Sequence, residues 1–464
     1  MTEVPVVTTT TRGLHPGLTR RQISMMGLGG AIGAGLFVGS GQAIGIAGPA
    51  VLVSYLVAGT IVVLVMAMLA EMVAARPSSG AFSSYAQKAL GRSAGSAVGW
   101  LYWIQLVVVI AAEATGAAGI VSGWVPGVPA WAWVLVFVAA LTAVNLFGVR
   151  NYGRFEFWFA AIKVVAIIVF LLVGVAAIIG LFPGVPATGI GNLVAHGGFA
   201  PQGIGGIAAA LLIVVFAFGG TEVVAIAAAE SDDPARNIRR IVREVMVRII
   251  VFYLGSIFVI VAVLPWNDPA VAEGPFSAVL ATIRIPGVDL VMSIIVVIAL
   301  LSAMNANIYG ASRMVFSLGE RGLAPQVVTR TSRGGVPRVA VLASVAFGFV
   351  TVGLNWAFPD VVLPALLNVV GSTLLVIWVS TALAQIVLRR RADRAGEAMP
   401  VRMWGFPWLS WLCLVLLGGV IVLAMTDAAA RTQLLLTIGL TVVLLLVARL
   451  TRGSSRPGVT KDGS

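Results

Sequence analysis

Uncharged apolar runs recur along this chain at close to one length. Val51–Leu69, Val164–Leu181, Ile249–Leu264 and Leu434–Val447 hold no Asp, Glu, Lys or Arg. About 20 residues of apolar helix cross a hydrocarbon core of about 30 Å. Backbone amides have no water to bond in lipid, so runs of this kind must be helical. Hydrophobic residues make up 59% of the 464 residues and charged residues only 10%, against about a quarter charged in ordinary globular domains. The fold class expected is an all-α membrane protein.

Spans are placed near 23–48, 49–75, 95–123, 130–149, 156–181, 204–230, 244–265, 288–315, 338–357, 362–388, 405–425 and 431–449. With the N-terminus in the cytoplasm, all but three of the 30 Lys and Arg then fall in cytoplasmic tails, loops or helix ends. The exceptions are Arg284 and Arg431, which lie outside, and Lys163, which lies within a span. Short external segments carry Asp268, Glu273, Asp360 and Asp427. This is the positive-inside pattern. One helix more or fewer would scramble it, so twelve transmembrane helices are expected. The net charge of +12 thus reports topology and not a nucleic-acid partner; the bilayer is the surface this chain meets.

The first span is longer than a signal-peptide core and has many spans behind it, so it reads as retained. A lone Cys413 and two separated histidines, His15 and His196, offer no disulfide framework, metal site or cofactor site. Gly91-Arg-Ser-Ala-Gly95 matches a hydrolase nucleophile elbow, but no strand precedes it and no histidine accompanies it. No catalytic set emerges, and an enzyme is not expected.

Two spans are unlike the others. Gly27-Leu-Gly-Gly-Ala-Ile-Gly-Ala-Gly35 puts five glycines into nine residues of the first, and the sixth contains Phe216-Ala-Phe-Gly-Gly-Thr-Glu222. Each glycine weakens a helix by about 1 kcal/mol, so both segments are expected to unwind in mid-membrane. Interrupted helices in corresponding positions of two halves point to an inverted-repeat transporter with a midplane site. Close helix packing is the competing reading, since Gly29/Gly33, Gly35/Gly39 and Gly41/Gly45 fit a small-xxx-small pattern. Packing does not account for Glu222.

A broken helix frees amide N–H groups at the start of its second half and carbonyls at the end of its first. The N–H groups suit a carboxylate and the carbonyls an ammonium. An amino-acid-like ligand is therefore expected on the backbone of Ile32, Gly33, Ala34 and Gly35 and on Phe216 to Gly219 opposite. Phe216 and Phe218 are candidates for an aromatic lid. Ionisable groups in the bilayer are costly and are functional candidates: Lys163 and Glu222 for proton coupling, and Glu113 facing either the cavity or another helix. Glu71, Glu156 and Glu230 sit near cytoplasmic ends close to Arg76, Arg154 and Arg236, and are expected to be solvated or surface-paired.

These residues also carry a resemblance. Gly33-Ala-Gly-Leu-Phe-Val-Gly-Ser-Gly41 with Ala47-Gly-Pro-Ala50, Leu69-Ala-Glu-Met72 with Pro77-Ser-Ser-Gly-Ala-Phe82, and Phe155-Glu-Phe-Trp-Phe-Ala-Ala-Ile-Lys-Val164 are similar to bacterial amino acid permeases of the amino acid–polyamine–organocation superfamily. Ala227-Ala-Ala-Glu-Ser-Asp-Asp-Pro234 and Pro265-Trp266 extend the match over nearly the whole chain. The resemblance implies two inverted five-helix repeats (23–181 and 204–388) plus two further helices (405–450). These form a single transporter domain, 23–450, between cytoplasmic tails 1–22 and 451–464. It also implies symport with protons, with Lys163 in the place of a sodium ion and Glu222 in gating. Gly99-Trp-Leu-Tyr-Trp103, Glu113-Ala114, Trp124-Val-Pro-Gly127, Val149-Arg-Asn-Tyr-Gly153 and Ala311-Ser-Arg-Met314 resemble 4-aminobutyrate (GABA) permeases. Arg154 departs from them where relatives carry an acidic residue. Aromatic permeases are similar in having a glutamate near Glu113, so aromatic or other neutral amino acids, or exchange, stay open, as does a nutrient-sensing receptor. A 4-aminobutyrate ammonium would reach past the first span toward Glu113 and Asn305.

Overall fold

The computed structural model describes residues 32–78, 80–147, 152–184, 186–221, 243–244, 246–332 and 335–450. The two tails, residues 27–31 of the first glycine run, Glu230 and Glu222 lie outside the described residues, as do the side chains of 152–157. Among the described residues the chain is helical, without strands. The helices used below are α1 (Ala34–Phe37), α2 (Gly39–Ala47), α3 (Val51–Ala75), α4 (Ala81–Leu90), α5 (Arg92–Trp124), α6 (Ala130–Phe147) and α7 (Tyr152–Ile178). They continue with α8 (Gly203–Ala217), α9 (Gly255–Val263), α10 (Val288–Glu320), α11 (Arg338–Ala357), α12 (Pro359–Ala395), α13 (Trp408–Ala424) and α14 (Ala428–Leu450).

Eight helical stretches among the described residues are long and apolar enough to cross a bilayer, and three shorter apolar helices accompany them. Their outward faces are apolar: Leu172, Ile179, Leu436 and Val447 are each more than half exposed. In water such faces would be costly; in hydrocarbon they are at home. This is a multi-pass membrane protein.

α5 is the central pillar, packing against α4, α6, α10, α11 and α12. Polar groups fix its register. The Trp100 indole donates to the Leu323 carbonyl (3.0 Å) and the Trp103 indole to Ser344 Oγ (3.0 Å). Further along, Asn355 donates to Thr115 Oγ1 at 3.0 Å. Such bonds specify partners where apolar contact alone would let one helix slide past another.

The segment between α7 and α8 is pinned to the end of α9. Asn192 donates to the carbonyls of Ala262 (3.0 Å) and Val263 (3.1 Å), and the Trp266 indole donates to the His196 carbonyl (2.8 Å). Two short helices, Pro269–Glu273 and Pro275–Thr282, follow, the first capped by Asp268 accepting from the Ala270 N–H (2.9 Å). The stretch 76–94, expected as a loop, contains α4. Its apolar positions recur at helical spacing, as in Phe82, Tyr85, Ala86 and Ala89, all buried.

One expectation is corrected here. Glu71 is neither solvated nor paired with Arg76, whose surface partner is Glu397 at 3.1 Å. Glu71 is 1% exposed and bonds Arg389 of α12 at 2.7 Å. It also accepts from Gln385 (2.9 Å) and from the Met403 N–H (2.6 Å), while Ser410 donates to Gln385 (2.9 Å). Proximity in sequence pointed to Arg76; the long helix α12 supplies a closer cation from 318 positions away.

Candidate functional site

Among the described residues of the first span, helical bonding begins at Ala34. Gly33 before it is extended (φ −148°, ψ −147°), and the carbonyl of Gly33 takes the first intrahelical bonds. In the sixth, α8 stops at Ala217 and the chain turns through 218–221, with Gly220 at φ +89°, a left-handed conformation that favours glycine. The two ends meet: a side chain on Gly35 would run into the Cα of Ala217. Packing thus accounts for Gly35, and likewise for Gly41 against the Val271 carbonyl.

Gly33 has a different neighbour. A Cβ there would collide with Oε1 of Glu113. The Glu113 carboxylate accepts the Ala34 N–H with both oxygens, at 3.1 and 3.0 Å, and is 3% exposed. Of the two orientations open to Glu113, it takes the one toward the first break. Lys163 of α7 is fully buried and lies within electrostatic reach of Glu113.

The cavity between the breaks measures about 10 Å³, about room for one water. Gly33 and Gly35 line one side, and Phe216, Gly219 and Gly220 the other. Gln105, Val109 and Glu113 come from α5 and Asn307 from α10. The α5 residues recur at i, i+4 and i+8, a single helical stripe.

The sequence-predicted residues divide accordingly. Gly33, Gly35, Phe216, Gly219 and Glu113 meet at the cavity. Ala34 contributes its amide, and Ile32 is buried beside it. Phe218, the other lid candidate, stacks on Tyr253 (ring centroids 4.8 Å) and meets Tyr55 edge-on (5.9 Å). Two residues turn a helix by ~200°, which sets Asn305 of α10 apart from Asn307. The Asn305 Oδ1 accepts from Asn145 of α6 at 2.7 Å, while Asn307 lines the cavity and donates to the Ala303 carbonyl at 2.8 Å. Gln105 and Asn307 were missed; counting back eight positions from Glu113 would have found the first. Gly91, the supposed elbow, joins α4 to α5 at φ +97° with helices on both sides.

The Glu113 carboxyl group accepts a backbone N–H at the start of a helix, which marks a donor there that an oxygen ligand can use. The cavity beside it offers polar side chains from two further helices. Donors and acceptors of this kind suit the two ends of a small zwitterion, although the cavity as it stands has room for no more than about one water.

The chain matches the amino acid permease family model over residues 22–453. It is 51% identical to the aromatic amino acid transport protein AroP of Corynebacterium glutamicum, over 91% of this chain and 92% of that one. It is 45% identical to a probable GABA permease of Pseudomonas aeruginosa (92% and 91% covered). It is 44% identical to the gamma-aminobutyric acid permease of Escherichia coli (94% and 95% covered).

Proposed function

The chain belongs to the amino acid permease family, and from that premise we propose that it is a proton-coupled symporter importing 4-aminobutyrate across a bacterial cytoplasmic membrane. In this reading twelve spans form two inverted five-helix repeats plus two helices, with both termini in the cytoplasm. The substrate carboxylate takes the place on the Ala34 amide, and its ammonium turns toward the carbonyls of the second break and the polar side chains of α5 and α10.

The observation that carries this reading is the Glu113 carboxylate on the Ala34 N–H. Its geometry is that of a ligand carboxylate on a freed amide. The incoming carboxylate competes with Glu113 for that donor, and two anions do not share one site. Glu113 is released by taking a proton or by turning to Lys163, which couples binding to protonation. Lys163 is the proton carrier in this scheme and Glu222 a relay. A cavity of about 10 Å³ admits no amino acid until the two broken helices part, and this makes the movement obligatory.

A second reading, import of aromatic amino acids, is favoured by the 51% identity to the Corynebacterium protein. Uptake into liposomes holding the full chain separates them. A labelled panel of 4-aminobutyrate, phenylalanine, tryptophan and leucine is offered with an acid-outside gradient, with and without sodium. Uptake of 4-aminobutyrate driven by the gradient alone is expected. Saturable uptake only of the aromatic members would favour the second reading. Sodium-dependent uptake, or unchanged proton drive in Lys163→Ala, would refute the coupling scheme.

A further inference from the structure

Gln105 is one of the polar side chains of α5 in the cavity wall, and the site as described does not say which substrate group it meets. It stands on α5 eight residues before Glu113, roughly 12 Å along the helix axis, with Val109 between them on the same stripe. The residue is 1% exposed, its amide faces Gly219 of the second break, and its Oε1 accepts no hydrogen bond among the described residues. A buried carbonyl oxygen without a donor is unfavourable in any interior, and more so in a membrane. Where one is kept beside a cavity, a ligand is the group that can satisfy it.

We propose that Gln105 recognises a hydrogen-bond donor carried by the substrate at the end far from its carboxylate. The inference rests on the reading of the site as one for an amino acid. The two ends of the cavity are chemically opposite: an amide N–H at Gly33–Ala34 for the carboxylate, and a carbonyl oxygen at Gln105 for a donor. An α-ammonium, two bonds from its carboxyl carbon, stays at the first break and cannot serve both. A donor four bonds away can. The carbon-to-nitrogen span of 4-aminobutyrate is roughly 5 Å, and a hydrogen bond of about 2.9 Å at each end brings it to roughly 11 Å. The indole N–H of tryptophan is the other source of the same chemistry. Phenylalanine and leucine offer no such donor.

The test uses the full chain in liposomes, wild type against Gln105→Met and Gln105→Glu. Methionine keeps the volume and loses the acceptor, whereas glutamate keeps an acceptor. Size-exclusion profiles in detergent establish that each variant is folded. KM is measured for 4-aminobutyrate, tryptophan, phenylalanine and leucine. The expected result is a rise of about tenfold or more in KM for the donor-bearing substrate in Gln105→Met, the effect of deleting one strong hydrogen-bond partner. Compounds without a distal donor should shift less than about twofold, within the range of surface-type effects. If the donor is an ammonium, Gln105→Glu restores uptake; if it is the indole, tryptophan alone responds to the methionine variant. Equal effects of both variants on every transported compound, or none at all, would make Gln105 a packing residue and overturn the proposal. If the wild type transports nothing in the panel, the amino acid reading itself falls, and that failure is visible before any variant is made.

Discussion

Glycine at position 33 is required by close neighbours. A Cβ there would fall on Oε1 of Glu113 and crowd the Cβ of Ala303. Gly33→Ala is therefore expected to expel Glu113 from the Ala34 amide and to lower substrate uptake by at least tenfold, about 1.4 kcal/mol. Gly45, in the same helical run but with open space around it, should tolerate alanine with uptake unchanged. Side-by-side uptake assays check the pair, and a Gly33→Ala protein with wild-type kinetics would remove Glu113 from the site. Residue types at the breaks were legible in the sequence because glycines and a carboxylate in mid-membrane are conspicuous. Their facing was not. Phe216 and Asn307 line the cavity while Phe218 stacks on Tyr253 and Asn305 bonds Asn145. An offset of two residues separates the two asparagines, and reading it needs the helix phase that only packing sets. Gln105 was passed over for a related reason: an uncharged amide in an apolar run gives a weak signal.

Among the described elements, some expected spans end within a few residues of a helix, as 95–123 does against Arg92–Trp124 and 405–425 against Trp408–Ala424, because length and hydropathy dictate them. Partner choice between helices was not. Glu71 illustrates the difference. From sequence it is a carboxylate near a membrane edge with an arginine five positions on; in the fold it ties α3 to α12 and to the segment leading into α13. A buried pair of this kind gains little over an apolar pair of equal size, but removing one member strands the other. Arg389→Met should therefore cost about 3–5 kcal/mol, lowering the midpoint of thermal unfolding in detergent. The double variant Glu71→Leu with Arg389→Met should recover a large part of that loss. A double variant no more stable than Arg389→Met would show that Gln385 and Met403 satisfy Glu71 by themselves.

For the whole molecule, the distribution of cations is the strongest long-range constraint in the sequence, and one helix lets it be tested. α12 runs for 37 residues, ~55 Å of helix, against about 40–45 Å for a bilayer with its headgroups. Both ends must therefore emerge. Asp360 stands exposed in its first turn, and Arg394 is exposed beyond the cluster Arg389, Arg390 and Arg391. By the positive-inside rule the arginine end is expected in the cytoplasm. The chain has a single cysteine, Cys413, which is buried, so Cys413→Ala provides a thiol-free background at the cost of one small cavity. On that background, Asp360→Cys should react with a membrane-impermeant maleimide in intact cells. Arg394→Cys should react only after the membrane is opened. Labelling of both from outside would show that the permeabilisation barrier had failed, and the reverse order would invert the topology.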